Sequence, residues 1–289
     1  MNRAARDLDR LSALAIARLM NREDRCPPEA VGRVAPAIAR AVEVIVEALG
    51  SGGRLFFVGA GTSGRLGVLE AAECPPTFGT PPRLVQAIMA GGRAAVFRSR
   101  EGAEDDARAA RLAVRARVRR GDVVVGISAS GLTPFVRAGL GAARRLGART
   151  VLVSCHRGRS PLPAEIVIAP WPGPEVLAGS TRLKAGTTTK LVLNTLTTAS
   201  MVRLGKVYGN RMIDLHPGSR KLRERAIRLV QEIAGVPRGQ AQRALRAGGG
   251  RARLAIVIAR LRLSAGEARA TLARHGGNLR ALLGAQAGP

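Results

Sequence analysis

A glycine-rich turn and one isolated carboxylate come closest to chemistry in this chain. Between Arg54 and Pro76 the apolar run Leu55-Phe56-Phe57-Val58 ends in Gly59-Ala60-Gly61-Thr62-Ser63-Gly64, and a short helical segment then carries Glu73 to Cys74-Pro75-Pro76. A strand-to-helix turn of this kind cradles anions, because backbone N–H groups and the positive helix end converge on one spot. Thr62 and Ser63 add hydroxyl donors suited to a phosphate or a sugar. Glu73 stands apart from acidic residues such as Glu23, Asp24, Glu224 and Glu232, which sit among arginines as solvated ion-pair partners. Ala71-Ala72 before it and Cys74-Pro75-Pro76 after it supply little water, and the prolines predict a helix end whose dipole disfavours an anion. Both effects favour a carboxyl group able to exchange protons near neutral pH. An anion cradle and an acid/base group on one unit predict chemistry on a phosphorylated small molecule.

A second polar turn, Ser128-Ala129-Ser130-Gly131-Leu132-Thr133-Pro134, follows another apolar run. Pro134 suits the first turn of a helix and the hydroxyls suit its cap. The same hydroxyls and free N–H groups also suit a phosphate monoester. The cluster Glu101-Gly102-Ala103-Glu104-Asp105-Asp106 reads as helix-favouring charge or as a second carboxyl source, and the pattern alone leaves both open. Gly59, Gly61 and Gly64 match the G-x-G-x-x-G of dinucleotide sites. That reading needs a ribose-binding acid after the next strand, where Ala87-Ile88-Met89-Ala90-Gly91-Gly92 offers none. Cys74 has no activating base beside it in sequence, and nothing singles out His156 or His216.

These turns require strands to end at one edge. The apolar runs predict strands at Leu55–Val58, Leu84–Ile88, Val123–Ile127, Thr150–Ser154 and Ile166–Ala169. Helices are predicted between them at Gly64–Glu73, Ala94–Val118 and Thr133–Leu146, with another at Lys184–Leu204. This alternation predicts an α/β fold, a parallel sheet flanked by helices. Helical spacing from Asp9 to Met20 and from Ala35 to Leu49 predicts N-terminal helices over residues 1–50. Strand signals cease beyond Gly209-Asn210. Residues 213–289 read as a small C-terminal helical, UBA-like bundle, packing or DNA-reading, with a capping box at Ser264 and Glu267. The sheet domain occupies 51–212.

The net charge of +27 raises the question of nucleic acid. Nearly all the cations are arginines, the only lysines being Lys184, Lys190, Lys206 and Lys221, and aromatic residues make up 2%. Few bases could stack on such a surface, so the charge reads as arginine scattered over solvated helix faces and not as a nucleic-acid partner. No apolar run is long enough for a membrane span, and no signal-peptide core follows Met1. The dispersed Cys26, Cys74 and Cys155 predict reduced thiols in a cytoplasmic protein, with no metal site.

Taken in order, several motifs resemble the N-acetylmuramic acid 6-phosphate etherases, built on a sugar isomerase (SIS) domain. They are Gly59 to Gly67, Glu73 to Gly79, Glu101 to Asp105, Ser130-Gly131 with Thr133-Pro134, Gly179 to Arg182, Lys184 to Thr187, Lys190 to Asn194, and Gly205 to Asn210. The resemblance runs from about Leu8 to the end and includes the helical tail. It implies cleavage of the lactyl ether of a phosphorylated amino sugar with water, by elimination and then hydration. It places the two acid/base carboxylates at Glu73 and Glu104. Phosphate contacts fall on Ser128, Ser130 and Thr133, and sugar contacts on Thr62, Ser63 and Ser180 beside Gly61. Lys184 is a further substrate-binding candidate, and Lys184, Arg182 or backbone amides could stabilise enolate-like charge. No metal or organic cofactor is implied, and a homodimer is. Leu132 stands where the family carries an arginine. A phosphosugar sensor resembling the glucokinase regulatory protein and an aldose–ketose isomerase are the alternatives on the same fold.

Overall fold

The computed structural model describes residues 2–156, 164–214 and 220–284. The chain divides into two compact units, one of Met1–Ala72 with Pro82–Ser200 and one of Glu73–Pro81 with Met201–Pro289.

In chain order the first elements are α1 (Ala13–Glu23), α2 (Cys26–Arg33), α3 (Ala35–Gly50), β1 (Leu55–Gly59), α4 (Gly61–Phe78), β2 (Val85–Met89) and α5 (Ala94–Phe97). A 3-10 turn at Ala103–Asp105 leads to α6 (Ala107–Arg117), β3 (Val123–Ile127), α7 (Pro134–Arg145), β4 (Arg149–Val153), β5 (Ile166–Ile168) and α8 (Lys184–Arg203). The five strands form one parallel sheet in the order β2-β1-β3-β4-β5. All five lie where the apolar runs predict them. β1 and β3 are buried at every residue, as central strands covered on both faces must be. Alternation then divides the side chains between two layers. Phe56 and Val58 share a core with Val114 of α6 and with Val136 and Leu140 of α7. On the opposite face Gly67 of α4 sits against Phe57, where an added Cβ would lie 2.8 Å from Phe57 Cβ.

The helices depart from expectation in instructive places. α4 does not stop at Cys74-Pro75-Pro76 but runs through both prolines to Phe78. The proline φ is compatible with a helix, and α4 stays helical through both despite the lost N–H bonds and the crowding of their rings against the preceding turn. Its true stop is Gly79, at φ +61, whose N–H donates to the Pro75 carbonyl. The predicted helix Ala94–Val118 is broken: Arg98 is extended, Gly102 adopts φ +71, and α6 restarts where the Asp106 side chain accepts from Ala109 N–H. α1 begins later than predicted, after the Ser12 cap, and α2 went unpredicted because its eight residues contain two prolines and a glycine.

In the second unit β6 (Val207–Tyr208) and β7 (Arg211–Met212) form a short hairpin around Gly209-Asn210, so pairing continues just past the point where strand signals fade. Helices α9 (Arg220–Ala234), α10 (Arg238–Ala247), α11 (Ala252–Leu261), α12 (Ala265–Arg274) and α13 (Leu279–Leu283) follow. They bury one core that includes Ile227, Val230, Leu245, Ile256 and Leu279. The Ser264–Glu267 capping box is present at the start of α12.

At the amino end of the sheet, fully buried Asp122 ties the start of β1 to the loop between α6 and β3. Its carboxylate accepts from Arg54 N–H at 2.9 Å, from the Arg54 guanidinium at 2.7 and 3.2 Å, and from Arg119 N–H at 2.9 Å. Removing it would leave the Arg119 N–H without an acceptor and strip the half-buried Arg54 cation of its counter-charge, with only the Arg117 carbonyl left to accept from it. Asp122→Ala is expected to cost about 3 kcal/mol of stability, measured by urea unfolding at neutral pH against the parent protein.

Candidate active site

The strand order places β1 and β3 side by side, and their crossovers leave in opposite directions, toward β2 and toward β4. Ligands of open parallel sheets bind in the crevice at such a switch point, outside the carboxyl ends of the strands. Both predicted turns open there, since Gly59 and Ile127, the last residues of β1 and β3, are register partners.

The first turn depends on two glycines. A Cβ at Gly64 would fall 2.7 Å from the Gly59 carbonyl oxygen, and one at Gly59 would fall 2.8 Å from Gly64 N. With neither present, Gly64 N–H bonds to the Ala60 carbonyl at 3.1 Å and α4 starts flush against the strand end. Gly61, at φ +53, turns the chain into the helix. Thr62 and Ser63 are half-buried on its first turn. Thr62 meets the start of α8, where a Cβ on Gly186 would lie 3.8 Å from Thr62 Cγ2.

In the second turn the hydroxyls bind one another. Ser128, buried, lies 2.8 Å from the Thr133 hydroxyl and 3.5 Å from that of Ser130, and its oxygen accepts from Thr133 N–H at 3.4 Å. Ser130 accepts from Leu132 N–H at 3.2 Å. The Thr133 side chain makes no capping bond to α7, so helix capping does not account for these hydroxyls. They form a preorganised donor set beside a positive helix end, the arrangement a phosphate monoester requires.

Glu104 shares a cavity of about 310 Å³ with Gly61, Arg65, Met89, Arg100 and Glu101. The fold therefore brings the acidic cluster to the first turn, although Glu104 lies 43 positions after Gly61 in the sequence. Glu73 lies in the second unit and is exposed, and α4 continues five residues beyond it. Neither the scarcity of water nor the helix end inferred from its neighbours holds.

Lys184 is placed differently from expectation. It is 2% exposed and its ammonium donates to Glu23 at 2.7 Å, an oxygen that Asn2 also reaches at 2.6 Å. The lysine's charge is thus committed to an internal pair. Glu175 accepts from Lys184 N–H and Ala185 N–H, both at 2.9 Å, and caps α8. Ser180 is half-buried in the loop before that helix. Sequence reasoning also passed over Glu70, buried on α4, which pairs with Lys190 at 2.6 Å and accepts from Thr197. Only the helical spacing of Thr62, Leu66 and Glu70 hinted at a shared face. Among the described residues no group of three His, Cys, Asp or Glu could hold a metal ion. Burial pushes the Cys155 thiol up to about 11, His156 is exposed, and His216 lies outside the described residues. No helix is long and apolar enough to cross a membrane among the described residues.

Comparison with known proteins places this geometry among relatives. Residues 37–144 match the model of the glucokinase regulatory protein N-terminal SIS domain. The chain is 50% identical over 281 residues to an N-acetylmuramic acid 6-phosphate etherase of Synechocystis sp., covering 96% of this chain and 92% of that protein. It is 52% identical over 252 residues to the protein of that name in Symbiobacterium thermophilum, covering 87% and 84%. Among solved structures, a phosphoheptose isomerase from Francisella tularensis superposes with a TM-score of 0.52 at 18% identity, covering 66% of this chain and all of that one, a likeness of fold.

The Glu23–Lys184 pair has a pH signature. The Lys184 ammonium bonded to Glu23 holds that carboxyl below its ordinary value of 4.5. A depressed folded value means the stabilisation is complete above the unfolded value and disappears as pH falls through the folded one. Glu23→Gln is therefore expected to be less stable than the parent at pH 7, with the gap closing below about pH 4.5. Urea midpoints measured for both proteins across that range check this.

Proposed function

The chain belongs to the N-acetylmuramic acid 6-phosphate etherase family, and from that membership we propose how its sheet-edge crevice performs the family reaction. The protein is an etherase, a carbon–oxygen lyase that converts N-acetylmuramic acid 6-phosphate and water to N-acetylglucosamine 6-phosphate and D-lactate, a step of cell-wall sugar recycling. The observation that carries this is identity near one half along almost the whole length of etherases of similar size.

In the crevice Ser128, Ser130 and Thr133 receive the phosphate, with the amino end of α7 behind them. Thr62, Ser63 and Ser180, with the backbone at Gly61, hold the opened sugar. Glu73 and Glu104 form the acid/base pair. One takes the proton from the carbon beside the aldehyde while the bond from the next carbon to the lactyl oxygen breaks, its electron pair leaving with lactate. The oxygen takes up a proton, and water then adds across the resulting double bond. Proton transfer by positioned carboxyl groups supplies about 10²- to 10⁴-fold each. Exposure of Glu73 and Glu104 suits groups that must meet substrate and then re-equilibrate with water. Lys184, buried against Glu23, supports the substrate loop through the start of α8 and does not act as a free cation. A homodimer and a cytoplasmic setting complete the proposal, the second supported by three cysteines with no disulfide among them.

The match to a regulatory-protein domain favours one rival, a sensor that binds phosphosugars without turnover. Incubating the pure protein with N-acetylmuramic acid 6-phosphate and assaying D-lactate separates the two. Turnover is expected in the parent, with a fall of about 10²-fold or more in kcat for Glu73→Ala and for Glu104→Ala. Binding without lactate release would favour the sensor, and undiminished release from either variant would remove that glutamate from the mechanism.

A further inference from the structure

The substrate of the reading above carries two anionic groups, and the hydroxyl turns account for one. The second is the carboxylate of the lactyl arm, a few bonds from the carbon that loses its proton. A group that holds it must therefore lie close to the acid/base glutamates. We infer that Arg65 receives this carboxylate and is the residue by which the site distinguishes a lactyl ether from other sugar phosphates.

Arg65 lies on the first turns of α4, directly after Gly64, and lines the cavity that contains Glu104 and Gly61. It is half-buried. Its guanidinium is already oriented: Nε donates to the Val96 carbonyl at 2.8 Å and one terminal nitrogen to the Ala95 carbonyl at 2.9 Å. Two neutral acceptors fix the plane of the fork without cancelling its charge. Among the described residues no carboxylate lies within ion-pair distance of it. This contrasts with Lys184 and Lys190, whose ammonium groups are committed to Glu23 and Glu70. A guanidinium has five donors in a rigid fork matched to a carboxylate, and donors remain after both carbonyl bonds. The positive end of α4 adds to the local field. A half-buried cation, held in place with its charge unanswered, beside a carboxyl group of the reaction, is a receptor for an anionic carboxylate.

The inference rests on the etherase reading, and the test separates the two. D-lactate or its methyl ester is released from N-acetylmuramic acid 6-phosphate and from the same compound with its lactyl carboxylate methylated, using the parent, Arg65→Met and Arg65→Gln. The ratio of kcat/KM for acid over ester is the readout, because damage to folding or to the α5 loop lowers both numbers alike. The parent is expected to prefer the acid, and each variant to lose about 30-fold in that ratio, as removal of a charged hydrogen-bond partner does. A parent-like ratio in the variants, with both substrates slowed equally, overturns the inference and leaves Arg65 as a support of the α5 loop. A parent that releases nothing from either compound overturns the etherase reading and this inference with it.

Discussion

The contact between the end of β1 and the first turn of α4 governs what the site can be. Gly59 and Gly64 approach so closely that a Cβ on either would strike the other's backbone. This allows the helix to start at the strand's end with no intervening loop, so its first turn, which carries Thr62 and Ser63, lies at the sheet edge. The parallel ladder then carries the constraint sideways, since Gly59 is in register with Ile127, the residue before Ser128. At its other end β1 is held by Asp122, which gathers Arg54 and Arg119. One strand fixed at both ends thus sets the spacing between two donor clusters.

Charge inside the protein is arranged differently from charge on its surface. The chain carries +27 overall, yet Lys184, Lys190 and Arg253 are each answered by an acid, Glu23, Glu70 and Asp214. The turn from Ser128 to Pro134 contains no cation, and Leu132 on it is 59% exposed. In the proposed site the phosphate is held by hydroxyls and oriented amides, which act without the entropy loss of ordering a long side chain. Arg65 is ordered in advance by two carbonyls, so its charge is available at little cost in ordering.

Much of the frame was legible because its signals are local. Five apolar runs mark the five strands, and G-x-G-x-x-G marks the tight turn between β1 and α4. The Ser264–Glu267 box marks the start of α12. Signals failed where one residue type serves two geometries. Pro75 and Pro76 read as a stop, but the helix runs through both, and the stop comes from Gly79 adopting φ +61. The helix expected over 94–118 broke at Arg98 and Gly102, and that break turns Glu104 toward the Gly61 cavity. Pairings across long sequence separations, Glu23 with Lys184 and Glu70 with Lys190, leave no trace in spacing. For that reason Lys184 passed for a free cation, and the burial supposed around Glu73 was read from neighbours that lie elsewhere on the helix.

The account turns on a carboxyl-driven elimination followed by addition of water to the sugar carbon. Running the reaction in deuterated water enriched in oxygen-18, and analysing both products by mass spectrometry and NMR, tests it directly. The account predicts deuterium on the carbon beside the aldehyde, oxygen-18 on the neighbouring sugar carbon, and D-lactate that keeps the original ether oxygen. Oxygen-18 on the D-lactate hydroxyl, or a sugar product with no deuterium at that carbon, would contradict it.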